Sequence, residues 1–119
     1  MVKAEELEGR LKSLAYRIVD LRESLPQKKI ARIIEDQLLR SAFSAAANYR
    51  AACKAISKKS FVSKLSIAFE EADETLFWLG VIQELNLVSV ENLSANIREA
   101  TELASILAAA RKTSQASLK

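Results

Sequence analysis

The sequence predicts an all-α protein, specifically an antiparallel up-down-up-down four-helix bundle. Only two glycines and one proline occur among 119 residues, so the chain has few of the residues that tight turns and strand connections need. Half of the residues are hydrophobic, and apolar residues recur at steps of three and four through four successive segments. We expect a single domain over residues 1–119, because a chain of this length builds one core.

The first helix is expected over residues 4–25. Its leucines and its isoleucine alternate at spacings of four and three residues, which is a heptad seam. Glu5 and Glu6 suit the positive end of the helix dipole. Pro26 ends the helix, because the residue before a proline is pushed out of the α region. The seam consists of Leu7, Leu11, Leu14, Ile18, Leu21 and Leu25.

The second helix is expected over residues 28–55, and it is apolar or small on nearly every side. A helix of this kind is either central to a large core or shared between a core and an oligomer interface. A chain with four helices cannot cover it completely, so the pattern predicts self-association. The stretch SAFSAAA at residues 41–47 would also allow close approach of a neighbouring helix.

The third and fourth helices are expected over residues 58–85 and 90–111. Ser57 and Ser89 precede them as N-cap residues, whose hydroxyls accept from free backbone N–H groups of the first turn. After residue 111 the apolar pattern fades, which predicts a frayed tail over 112–119. Short connections make consecutive helices antiparallel neighbours.

Composition narrows the chemistry. The chain has no histidine and one cysteine, Cys53, so it lacks the ligands of a structural zinc site and the residues of a disulfide or a His-dependent nucleophile. We therefore expect no cofactor and no enzymatic activity. No apolar run approaches the ~20 residues that span a bilayer, and the charged start MVKAEELEGR predicts a cytoplasmic protein.

Positive charge is concentrated in the middle of the chain. Residues 26–60 hold eight basic and two acidic residues, whereas residues 61–85 hold one basic and five acidic residues. The basic set is either a solvated face or a surface that contacts the phosphates of RNA or DNA. Tyr49, beside Arg50, could stack on a base. The candidate nucleic-acid-binding residues are Lys28, Lys29, Arg32, Arg50, Lys54, Lys58 and Lys59.

Other polar residues are given structural roles. A turn near Ser57 places Arg40 level with Glu74 and about one turn from Glu71, which predicts an ion pair that fixes the register of helices two and three. A catalytic carboxylate pair or a divalent-metal site is the alternative for these carboxylates, but neither has a histidine partner. Gln37 and Asn48 are expected to be polar residues of the core, Cys53 a packing residue, and Trp78 a core or interface anchor.

Residues 37–79 resemble a bacterial four-helix-bundle family named for proteins encoded within intervening sequences of large-subunit ribosomal RNA genes. The resemblance lies in Gln37, Arg40 and Ser41, in the run ANYRAAC at 47–53, and in EEADETLFWL at 70–79. It implies a bundle that assembles as a ring-like homopentamer. The chain is also similar to the accessory variability proteins of diversity-generating retroelements, which are basic pentamers that bind nucleic acid and a reverse transcriptase.

Two functions follow as hypotheses. The first is a homo-oligomeric bundle that binds structured nucleic acid, RNA above all, through the basic residues. The second is an oligomeric scaffold for a protein partner, without nucleic-acid binding, which the surplus apolar surface of helices two and three suggests.

Overall fold

Four α-helices make up the computed structural model, which describes residues 2–118. Their bounds are Ala4–Leu21 (α1), Lys29–Cys53 (α2), Lys58–Glu84 (α3) and Val90–Ala116 (α4). The expected domain and tail also include Met1 and Lys119, which lie outside the described residues. No strand occurs between residues 2 and 118, so the all-α fold class is confirmed.

The helices enclose one elongated core. Helix α2 packs against α1 and α3, and α4 packs against the same two helices, so each helix has two neighbours. The molecule measures 48 × 24 × 21 Å, and its long axis runs along helices of 25–27 residues, which are about 38–41 Å long at a rise of ~1.5 Å per residue. This shape leaves a long outer surface on every helix.

The heptad seam of α1 faces the core as its spacing predicts. Leu7, Leu11, Leu14, Ile18 and Leu21 are buried. Leu25 is only half-buried, because α1 ends at Leu21 and passes into a 3₁₀ turn. Leu25 itself has the extended backbone that the following proline imposes. The first helix is therefore one turn shorter than its sequence pattern.

Helix α2 buries a stripe of small residues. Ser41, Ala42, Ala45, Ala46 and Ala52 are all buried, and their short side chains let α1 and α3 approach the α2 backbone closely. Ile30, one turn before the buried Ile34, is 46% exposed. The core of α2 begins one residue later, at Ala31.

The end of α3 follows from a single residue, whereas that of α4 does not. Asn86 adopts a left-handed backbone with φ of 54°, and the N–H groups of Asn86 and Leu87 donate to the carbonyls of Gln83 and Ile82 at 3.1 Å, which is the Schellman arrangement. Helix α4 has no such stop. It continues to Ala116, five residues beyond the expected end at residue 111, so residues 112–116 of the expected tail are helical.

Candidate nucleic-acid interface

The seven basic residues of the candidate interface are all exposed in the structure. Among residues 2–118, ion pairs within 4.0 Å involve Arg10, Arg22 and Arg40 and none of the seven. A cation without a protein partner keeps its charge available to a phosphate. We define the amino-terminal cluster as Lys28, Lys29 and Arg32, and the carboxy-terminal cluster as Arg50, Lys54, Lys58 and Lys59.

The two clusters lie toward opposite ends of α2. Arg32 and Arg50 are 18 residues apart, which is five helical turns and roughly 27 Å along the axis. They therefore share one side of α2, and Lys54 lies one further turn along that side. A partner would have to extend along the helix to contact both clusters.

Each cluster surrounds the N-terminus of a helix. Lys28 and Lys29 stand at the start of α2, and Lys58 and Lys59 at the start of α3, and neither first turn contains an acidic residue. By contrast, α1 and α4 carry Glu residues in their first turns. Lysine at the positive end of a helix dipole is unfavourable to the fold, whereas an anion bound there is stabilised by the free N–H groups, the dipole and the lysines together.

Arg40 is placed between Glu71 and Glu74 on the outer surface of α2 and α3. Its guanidinium donates to Glu71 at 2.7 Å, to Glu74 and to Oε1 of Gln37 at 3.2 Å. Trp78 Nε1 also donates to Glu74 Oε2, at 3.0 Å. The structure thus brings together the residues of the predicted ion pair and adds two further partners, the side-chain amide of Gln37 and the indole of Trp78.

The arrangement keeps the carboxylate of Glu74 charged. Hydrogen bonds from Arg40 and then from Trp78 lower the pKa of Glu74, and the pKa of Arg40 is raised by Glu74 and Glu71. An acid–base catalyst needs a pKa near the working pH, and these shifts run away from neutrality. The positive charge of Arg40 is likewise neutralised by its partners, so Arg40 does not extend the basic surface.

Gln37 and Asn48 do not lie in the core. Gln37 is half-buried, and its side chain accepts from Arg40 at the surface. Asn48 is also half-buried, and its Nδ2 donates within α2 to the carbonyl of Ser44 at 2.9 Å and to its hydroxyl at 3.1 Å. The core polar side chains are instead Ser41, Thr75 and Asn96, and Ser41 Oγ lies 2.9 Å from Thr75 Oγ1.

Tyr49 cannot stack on a base, which corrects the expectation from its position beside Arg50. Tyr49 is 6% exposed and belongs to the hydrophobic core. Burial, followed by the neighbouring Cys53, raises the pKa of the Tyr49 hydroxyl. Cys53 is exposed and is not the packing residue that was expected. The buried side of α2 at this point is occupied by the preceding residue, Ala52.

Two contacts between helices, one polar and one aromatic, are not predicted by the sequence pattern. Arg10 of α1 donates to both carboxylate oxygens of Glu99 on α4, at 2.9 and 2.7 Å, and this lowers the pKa of Glu99. Tyr16 of α1 and Phe43 of α2 form an edge-to-face pair with ring centroids 6.0 Å apart. The first contact joins the first and last helices, and the second joins α1 and α2 across the connection 22–28, so no short turn sets the register of either.

No group of three or more Cys, Asp or Glu side chains between residues 2 and 118 could hold a metal ion. In the same range, no helix has both the length and the hydrophobicity to cross a bilayer.

Fold and surface together define a class: an all-α four-helix protein with unpaired cations clustered around two helix N-termini. The profile of the 23S rRNA-intervening sequence proteins matches residues 9–109, and the chain belongs to this family. A solved structure from Bacteroides thetaiotaomicron, described as a protein of unknown function from the S23 ribosomal protein family, is 31% identical with a TM-score of 0.80. The match covers 89% of this chain and 98% of that chain. A comparison with curated proteins gives no match.

Proposed function

We propose that the protein is a non-enzymatic, homo-oligomeric helical bundle of the cytoplasm that binds structured RNA through the amino-terminal and carboxy-terminal clusters. The observation that carries this proposal is the set of seven exposed Lys and Arg side chains that lack a carboxylate partner within residues 2–118. The family name, which refers to an intervening sequence of 23S rRNA, favours RNA over other polyanions.

The proposed binding is electrostatic in origin. Each Lys or Arg that contacts a phosphate displaces a condensed counterion, so the affinity falls steeply with salt. The helix N-termini between the lysines add N–H donors and a favourable dipole for the same phosphates. These contacts read the spacing and shape of the RNA backbone rather than its sequence.

We further propose that the helices run up and down in turn and that the chains form a ring-like pentamer. The facing pairs Arg40–Glu74 and Ser41–Thr75 and the four-residue connection 54–57 between α2 and α3 support antiparallel α2 and α3. Exposed Ile33 on α2 and exposed Phe77 on α3 supply apolar surface for self-association, and the family resemblance implies five copies.

The test is a titration of a structured RNA with the purified protein at several salt concentrations. Replacing Arg50, Lys54, Lys58 and Lys59 with Ala should weaken binding and reduce the slope of log K against log salt by about 3, since four phosphate contacts are lost. The matched control removes four exposed cations elsewhere, and it should leave the slope nearly unchanged. The control residues are Lys3, Lys64, Arg98 and Lys112.

Equal losses of affinity in the two variants would mean that net charge alone attracts RNA. An unchanged affinity in the first variant would show that these four basic residues do not form the RNA interface. The second candidate function, a scaffold for a protein partner, is favoured by the exposed apolar side chains of α2 and α3. Recovery of a stoichiometric protein partner, with no RNA bound at low salt, would select it.

A further inference from the structure

The groove between α1 and α2 combines exposed aromatic rings with cations. Tyr16 is 55% exposed and Phe43 is 40% exposed, although the two rings contact each other edge to face. They line a cavity of about 410 Å³ together with Lys12 and Arg50. Glu8 is the one carboxylate on this lining, so the groove has a net positive charge.

We propose that this groove binds an unpaired nucleobase of the RNA, stacked on the rings of Tyr16 and Phe43. This inference rests on the proposed function and adds a requirement to it: the RNA must present a single-stranded loop, bulge or end. Bases in a duplex already stack on each other, whereas unpaired bases are free to stack on aromatic side chains. The volume lies within the ~300–1,000 Å³ of small-ligand sites, so one planar heterocycle fits.

The position of Phe43 on α2 connects the groove to both basic clusters. Phe43 follows Arg32 by 11 residues and precedes Arg50 by seven, which correspond to three and two helical turns. All three side chains therefore lie along the same side of α2, with the ring between the two cations. A strand whose phosphates contact Arg32 and Arg50 would pass directly over Phe43.

The charged rim also decides between a base and a second copy of the chain as the occupant. Cores of protein–protein interfaces are depleted in Lys and Glu, but this groove has Lys12 and Glu8 beside its rings. A nucleotide satisfies the same lining, because its base covers the rings while its phosphate meets Lys12 or Arg50. Charge complementarity thus favours the nucleotide.

The experiment compares an RNA hairpin with an unpaired loop against a blunt RNA duplex with the same number of phosphates. Phe43→Leu and Tyr16→Leu keep apolar surface but remove the aromatic faces. Each should weaken hairpin binding about 5- to 150-fold, the range for loss of one stacked base. Duplex binding and the salt slope should stay unchanged, since no phosphate contact is lost. Val90→Ala, at a side chain 66% exposed at the start of α4, removes apolar surface outside the groove; it is the matched control and should have no effect.

The outcomes separate this inference from the proposed function. If the wild type binds RNA and the basic-cluster variant weakens it, but both leucine variants bind the hairpin like wild type, the stacking site is wrong and the function stands. If the wild type binds neither the hairpin nor the duplex, the stacking site and the proposed function are both wrong. If Phe43→Leu lowers the molecular mass measured by light scattering, the ring lies between copies of the chain, and the inference is overturned.

Discussion

Two hydroxyl groups meet in the core between α2 and α3. Ser41 and Thr75 are each at most 1% exposed, and Ser41 Oγ, which donates to the carbonyl of Leu38 at 3.1 Å, accepts from Thr75. Thr75→Val leaves the Ser41 oxygen without this donor. We expect a loss of about 1 kcal/mol in the free energy of unfolding, measured by urea denaturation.

The control for this substitution is Thr101→Val. Thr101 is exposed, and its hydroxyl donates to the Ile97 carbonyl within α4, so water can replace the lost hydrogen bond. The free energy of unfolding should change by about a few tenths of a kcal/mol, as for ordinary surface substitutions. Equal losses at positions 75 and 101 would show that the buried pair does not stabilise the fold.

The Arg40 network predicts a pH-dependent contribution to stability. Arg40→Met removes the partner of Glu74 and of Glu71, whose side chain is only 16% exposed. Since Arg40 is 46% exposed, solvent screening keeps the expected loss near 1 kcal/mol at neutral pH. Arg22→Met is the control, because Arg22 contacts a single carboxylate, that of Glu35, at 3.3 Å and should matter less.

The sign of the pH effect follows from the lowered pKa of Glu74. A carboxyl group whose pKa is lower in the folded state stabilises the fold above its unfolded pKa of about 4.3 and loses that contribution as the pH falls through the folded value. The difference between wild type and Arg40→Met should therefore be full at neutral pH and should disappear in acid. A difference that persists undiminished at the acidic end of the urea titrations would contradict this.

At the scale of single helices, the two expected N-caps differ. Ser57 Oγ accepts from the Ser60 N–H at 3.0 Å, whereas Ser89 occupies the N-cap position of α4 without a side-chain cap bond. Ser57→Ala should cost about 1 kcal/mol in the free energy of unfolding, and Ser89→Ala should cost clearly less. Thermal or urea unfolding of the two variants measures this, and a larger loss at Ser89 would reverse the assignment.

The sequence predicts an element best where its apolar pattern is one-sided. Along α1, large apolar residues occupy one face and charges the other, so periodicity alone identifies the buried side chains from Leu7 to Leu21. Along α2 the pattern is ambiguous, because alanines surround the helix. Asn48 and Tyr49 are adjacent and about 100° apart on the helix, and only packing against α1 and α3 decides that the tyrosine is buried and the amide is not.

The site residues also differ in how far the sequence predicts their contacts. The partners of Arg40 follow from the short connection between α2 and α3, because a short turn fixes which residues stand level. The pairing of Tyr16 with Phe43 depends on how α1 and α2 pack after the longer connection 22–28, and no sequence spacing encodes that. Exposure of the basic residues was predictable, since lysine and arginine are rarely buried; their lack of carboxylate partners was not.

On the scale of the whole molecule, α2 and α3 carry both exposed cations and exposed apolar side chains. Ile30 and Ile33 adjoin the amino-terminal cluster at the start of α2, whereas Ile67 and Phe77 lie along α3 beyond the carboxy-terminal cluster. Large exposed apolar side chains on neighbouring elements are typical of an interaction surface.

We therefore expect the protein to be an oligomer in solution, with a mass of five chains by light scattering. The double substitution Ile33→Glu and Phe77→Glu should shift it toward the monomer, because an interface core tolerates buried, unpaired charge poorly. Val90→Glu is the control at a side chain 66% exposed at the start of α4, and it should leave the mass unchanged. A monomeric wild type would refute self-association, and an unchanged mass in the double variant would show that the interface lies elsewhere than on α2 and α3.

An oligomer would also repeat both basic clusters around its axis. Dissociation should therefore weaken RNA binding even though every cation is retained, because linked sites bind with avidity.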